Sequence, residues 1–258
     1  MKLAAFIFFV SAAVISAVPA VTVTQNSASV GRYDIYELTM TNLATYANPW
    51  EDPAITAVFT TPSGATNTVG GFYFATNTWK LRFAPRVTGP WTWTLSYTDT
   101  GGTFQTTGYF TCTNNSVNTG FLRINPVNPY CFITDGNSNT FYAHGQNLGM
   151  PNNGGGTSAS ITNLSQHSFS TDGYGQPTTI DDYLGNASRS GFNMLREMNN
   201  QDGFYQIDIT GGVFNVGGTG RNYYDLTQGQ LCDQLLTSVH AAGWKCLMTI
   251  AILRPSRI

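Results

Sequence analysis

Apolar and polar positions alternate with a period near two along Tyr33–Met40, and again along Ala54–Thr60. Both segments read as strands with one buried face. Gly71–Phe74, Trp79–Phe83, Trp91–Tyr97 and Thr107–Cys112 continue the series. Turn chemistry separates them: Thr61-Pro62-Ser63-Gly64, Thr76-Asn77, Pro85-Arg86-Val87-Thr88-Gly89-Pro90 and Asp99-Thr100-Gly101-Gly102. Short strands punctuated by turns roughly every 8–12 residues predict an antiparallel sandwich. No helical period interrupts them before Cys112.

The pattern changes after the polar stretch Thr113–Thr119, which reads as a boundary. Phe121–Ile124 and Tyr130–Thr134 suggest a hairpin, and Asp135–Asn139 a turn leading into Thr140–Gly145. Residues 151–176 and 199–221 are Gly-, Asn- and Thr-rich and read as long loops. Between and after them the apolar period becomes helical. Ile180, Tyr183, Leu184 and Ala187 mark a helix within Thr179–Ser190, and Leu226–Ala242 marks a second, with Asp225 as a cap and Gly243 as a stop. Gly191–Arg196 and Cys246–Leu253 are short buried-strand runs. Strand, helix, strand, helix, strand predicts parallel pairing through crossovers. The expected architecture is multidomain: an all-β immunoglobulin-like sandwich over 21–118, then an incomplete α/β (TIM-type) barrel of about three strands over 119–258. Leu247–Leu253 is the segment expected to aggregate if its strand lacks a partner.

The first 20 residues add a compartment. Met1-Lys2 precedes an apolar run to Val18, and Val18-Pro19-Ala20 offers small residues for cleavage after Ala20. This is a signal-peptide pattern, so the expected location is extracellular, with no membrane association after cleavage. Charged residues are only 10% of the chain and the formal net charge is −2. No basic stripe is present, which argues against nucleic acid as a partner. In a secreted chain the four cysteines, Cys112, Cys131, Cys232 and Cys246, are disulfide candidates, with Cys112–Cys131 and Cys232–Cys246 the local pairing. Their spacing does not suit zinc. Asn114, Asn163 and Asn186 begin glycosylation sequons.

Several motifs carry a family resemblance. Asn48-Pro49-Trp50-Glu51-Asp52-Pro53, Phe59-Thr60-Thr61-Pro62-Ser63-Gly64, Gly70-Gly71-Phe72-Tyr73, Trp79–Pro85 and Gly89-Pro90-Trp91-Thr92-Trp93 follow one another. The succession resembles the β-sandwich that precedes the barrel in a group of glycoside hydrolases, the apiosidase-like barrel glycosidases among them. Gly120–Ile124, Phe132–Gly136, Phe141–Gly145 and Gly191–Arg196 are similar to the start of that barrel. The resemblance implies a secreted protein acting on O-glycosidic bonds of a polysaccharide or oligosaccharide, without cofactor or metal. The family places its catalytic carboxylates after later barrel strands, so it implies a C-terminally truncated, inactive fragment of a glycosidase. The alternative is a non-catalytic carbohydrate-binding or cell-surface module.

Glycoside hydrolysis generally uses two carboxyl groups, ~5–5.5 Å apart for retention and wider for inversion. No convincing pair stands in this sequence. The resemblance makes Arg196 the leading support residue, holding a nucleophilic carboxylate ionised; a rim salt bridge is its structural alternative. His144, Gln146 and Asn147 are expected after the first parallel strand, where polar groups face ligand. Glu197, Asn199, Asn200 and Asp202 follow the second and are expected to contact sugar hydroxyls or cap the loop. His240 falls in the helix pattern and reads as structural. Trp50, Trp79, Trp91 and Trp93 could stack on sugar, but one sandwich face must be core, and that favours packing. Gly217–Gly220 lacks the strand and lysine of a phosphate loop.

Overall fold

A computed structural model describes residues 20–147, 180–199 and 226–250. Residues 1–19, 148–179 with Asn163, 200–225 with Asn200, Asp202, Gly217–Gly220 and Asp225, and the stretch from 251 onward lie outside the described residues.

Nine strands form two facing sheets. They are β1 (Thr22–Gln25), β2 (Ser29–Gly31), β3 (Tyr36–Thr41), β4 (Ala54–Thr60), β5 (Thr66–Gly70), β6 (Phe72–Ala75), β7 (Thr78–Phe83), β8 (Gly89–Asp99) and β9 (Gly102–Thr113). One sheet has the order β1-β3-β7-β6, the other β2-β9-β8-β4-β5. All pairings are antiparallel except β2 with β9.

The period-two pattern explains what lies between the sheets. On β8, Trp91, Trp93, Leu95 and Tyr97 are buried, whereas Thr92, Thr94 and Thr98 are exposed. The inward residues of both sheets form one cluster, with Tyr36, Leu38, Met40, Phe59, Leu81 and Phe110 at its centre. Aromatic rings organise it: Tyr36 stacks on Phe110 at 4.0 Å and Phe59 on Phe83 at 4.2 Å. Gly108 faces Trp93 across the β8–β9 ladder, and the indole occupies the space a side chain would need. Trp79, Trp91 and Trp93 are therefore core residues, and Trp50, half-buried, packs edge-on against Tyr73 at 5.0 Å.

Beyond the sandwich, β10 (Leu122–Ile124), β11 (Phe132–Thr134) and β12 (Thr140–Phe141) make a small antiparallel sheet. Then β13 (Gly145–Asn147), β14 (Met194–Asn199) and β15 (Lys245–Ile250) pair in parallel, with α1 (Ile180–Arg189) before β14 and α2 (Leu226–Ala241) before β15. Ile180 and Leu184 of α1, Leu195 of β14, and Leu235 and Val239 of α2 form a second buried cluster with Trp244. The Trp244 indole donates to Ser188 Oγ at 2.7 Å, tying the end of α2 to α1. Gly243, at φ 75°, stops α2 as its sequence signal predicts.

The expected α/β barrel is not what the described residues form. They are mostly strand, with two short helices, and their three parallel strands make an open sheet. Closing a barrel of this type takes about eight tilted strands. A βαβαβ run fixes parallel pairing but not closure, and that is where the prediction fails.

The disulfide expectation also fails: all four cysteines are thiols. Cys112 is buried in the sandwich core, whereas the Cys131 thiol sits in the turn before β11 and donates to Asn128 O. Burial pushes the Cys112 thiol above its ordinary value. Cys232 and Cys246 pack into the second cluster.

The sandwich and α2 touch through polar side chains. Arg82 on β7 makes a bidentate contact with Asp233 on α2, at 2.8 and 2.9 Å, while its Nε donates to Glu37 at 2.8 Å. Gln230 of α2 also donates to Phe74 O. Burial opposes the charge on Arg82, but hydrogen bonds to Asp233 and Glu37 outweigh it and raise its pKa.

Candidate functional site

In a parallel sheet all strands start at one end, and ligand chemistry gathers at the other, beyond the carboxyl ends. The register sets Gly145, Met194 and Lys245 side by side at the starting end. Asn147, Arg196 and Leu247 share the third position along, and Glu197 and Asn199 lie further toward the carboxyl end of β14.

Side chains alternate across the sheet. Leu195 is fully buried against the helices, so Arg196 projects from the opposite face, where it is exposed. Leu247, its register neighbour, is exposed as well. The sequence-predicted residues Asn147, Arg196, Glu197 and Asn199 are thus brought into the carboxyl-end half of the sheet. Gln146 pairs with Leu195 in the register, one position before Arg196.

His144 is placed differently. It precedes β13 and stands at the starting end, because the expected strand Thr140–Gly145 is broken into β12 and β13. Its ring stacks on Phe192 at 4.2 Å, and Nδ1 lies 3.3 Å from Gly191 O. Asn193 fastens this end: its Oδ1 accepts from His144 N at 2.9 Å and its Nδ2 donates to Tyr142 O at 2.9 Å. Lys245 adds a bond from Nζ to Gly120 O at 2.7 Å, and burial lowers its pKa. His144 therefore belongs to a structural clamp. Sequence reasoning passed over Asn193, whose only signal was a polar residue just inside an apolar strand run. His240 lies exposed near the end of α2.

The most ionic cluster described is Glu37, Lys80 and Arg82 on the outer face of the four-stranded sheet, joined by Asp233. Burial opposes ionisation of Glu37, but hydrogen bonds from Lys80 at 2.7 Å and from Arg82 prevail and hold its carboxyl below the usual range. Every charge there has an opposite partner, as in a docking contact rather than a reacting centre. Among the described residues no three His, Cys, Asp or Glu side chains gather as a metal centre. No described helix is long and apolar enough to cross a membrane.

Comparison with known proteins bears on the fold. Residues 29–98, well under half of the chain, match a family described as a domain of unknown function, DUF5060. A crystal structure of a "putative glycoside hydrolase" from Bacteroides vulgatus aligns with a TM-score of 0.59 at 18% identity. The likeness is one of fold. It covers 87% of this chain, so it spans the sandwich and the parallel sheet together, but only 41% of that structure. This chain therefore corresponds to less than half of that protein's length. The β-glucuronidase 3 of Bacteroides uniformis aligns over 90% of this chain and 23% of its own, at 12% identity and a TM-score of 0.23. The Lin-41 filamin domain aligns with 38% of this chain and all of its own, at 15% identity and a TM-score of 0.29. No curated protein sequence matches the chain.

Proposed function

We propose that this protein is a secreted, glycoside-hydrolase-like protein that works on polysaccharide. The supporting observation is the fold likeness to the Bacteroides vulgatus protein, which runs through both the sandwich and the parallel sheet. The signal-peptide pattern ending at Ala20 supports secretion. Low charge supports a neutral substrate over nucleic acid.

Within this reading, the carboxyl ends of β13 and β14 hold the sugar. Arg196 is the positioning residue, with its guanidinium available to orient a carboxylate or sugar oxygens through charge-assisted hydrogen bonds. Asn147, Glu197 and Asn199 contribute from neighbouring positions. The test is release of reducing sugar from a panel of plant and microbial glycans by the purified full-length protein, with Arg196→Ala alongside. Turnover should fall by at least tenfold in the variant with its thermal midpoint unchanged. Equal turnover would remove Arg196 from the role.

A second reading is a non-catalytic carbohydrate-binding module, with the sandwich as the working part. The uncharged outer face of its five-stranded sheet favours it. Binding to glycan without hydrolysis would select this reading over the first.

A further inference from the structure

The two outer faces of the sandwich are chemically unlike. The four-stranded sheet turns Glu37, Lys80 and Arg82 outward and is tied to α2 through Asp233. The five-stranded sheet turns outward a field of threonines: Thr92, Thr94 and Thr98 on β8, and Thr107 and Thr111 flanking Tyr109 on β9. Across β2, β4, β5, β8 and β9 the sole Asp, Glu, Lys or Arg is Asp99, at the end of β8. Its carboxylate is already engaged, accepting from Tyr46 at 2.6 Å and from Gly101 N at 2.7 Å.

Globular domains carry about 25% charged residues; this chain carries 10%, and these five strands carry a single one. Strand propensity explains threonine on an exposed strand face, but it does not exclude lysine or glutamate from five adjacent strands. Near the middle of the face stands Tyr109, 75% exposed, in register with Thr92. An exposed aromatic ring presents an apolar plane with a polar tip. Around it, hydroxyls and methyls repeat at about 7 Å along a strand and about 5 Å across strands.

We propose that this outer face is a binding platform for a neutral polysaccharide, with Tyr109 stacking on a sugar ring and the threonine hydroxyls meeting its hydroxyl groups. The match is one of charge and shape: a flat, uncharged, hydroxyl-bearing surface suits a flat, uncharged, hydroxyl-bearing polymer, and offers no cation to a phosphate or carboxylate. The proposal rests on the carbohydrate reading above and adds to it a second binding surface, on the sandwich. Among the described residues the opposite face is the one tied to α2, through Asp233 and Gln230.

The test uses the whole chain in pull-downs with insoluble cellulose, chitin, mannan and β-1,3-glucan, at low salt and in 1 M NaCl. At least one should retain the protein, equally at both salt concentrations, because no ion pair is involved. Tyr109→Ala and Thr94→Lys should each weaken binding by tenfold or more while keeping the parent thermal midpoint. Binding that survives both substitutions overturns the platform and leaves the carbohydrate reading standing. Failure of the parent to bind any of these polymers overturns the platform. If the full-length protein also releases no sugar from the glycan panel, the carbohydrate reading falls with it. A dimer in sedimentation that Thr94→Lys dissociates would assign the face to a second copy of this chain and overturn the proposal.

Discussion

Gly108→Ala tests whether the packing around Trp93 sets the rigidity of the sandwich. An added Cβ at residue 108 would lie 2.6 Å from Trp93 Cε2, and closer still to Cζ2. Carbon atoms prefer about 3.5–4.0 Å, so the indole or the β9 backbone must move by roughly 1 Å. Trp93 is only 6% exposed and is hemmed in by the core cluster, which leaves the ring little room. Overpacking of this kind typically costs about 1–3 kcal/mol, and the depth of the clash places the expectation near 3. Gly185→Ala is the matched control. Gly185 lies inside α1 with no atom within 4 Å of its added Cβ. There the same substitution should stabilise by about 0.5–1 kcal/mol through the unfolded chain and helix propensity. The assay is urea unfolding followed by tryptophan fluorescence and far-UV dichroism, with the variants compared at constant m-value. Opposite signs are expected for the two variants. A Gly108→Ala variant within about 0.5 kcal/mol of the parent would refute the packing argument, because the clash leaves no low-cost rearrangement.

Three further outcomes are expected. Asp233→Ala removes the α2 half of the Arg82 bridge; the pair is partly exposed, so the cost is about 1 kcal/mol. Hydrogen exchange should quicken about fivefold in α2 and near Arg82, with the sandwich core unaffected. Leu195→Ala empties the centre of the second cluster and should cost about 2–5 kcal/mol, read as loss of α1 and α2 dichroism at lower urea. Glu37 titrates below its ordinary 4.5 in the folded state, so its contribution is complete above that value and is lost as pH falls through the lowered one. Glu37→Gln should therefore flatten the acid limb of stability as pH falls below 4.5, and an unchanged limb would rule Glu37 out as its source.

Much of the architecture is legible in local pattern. Ala54–Thr60 is the strand its alternation marks, and the helical period over Leu226–Ala242 with Gly243 behind it becomes α2 and its stop. Alternation also tells which residues share a face, because the side-chain period of a strand is a local property. It sets Trp91 and Trp93 on one face of their strand before any partner strand is known. The site was less legible. His144 reads as a strand-end ligand until the break between β12 and β13 puts it at the opposite end of the sheet. The cysteines suggest bridges until the fold puts Cys112 in the core and Cys131 in a surface turn.

What the sequence by itself determined is the longer strands and the two helices, though not β1, β2 or β5, together with the periodicity that sets a buried side and the scarcity of charge. Only the tertiary structure decided which exposed side stays open, because that depends on contacts between residues far apart. Arg82 and Asp233 are 151 positions apart, and no periodicity links them. Their contact ties α2 to one face of the sandwich, whereas the threonines of the other face are exposed. The short parallel pairing of β2 with β9 and the open sheet in place of a barrel have the same origin. Strand partners are chosen by long-range hydrogen bonding and burial, and a period of two or 3.6 is the same whichever partner is found.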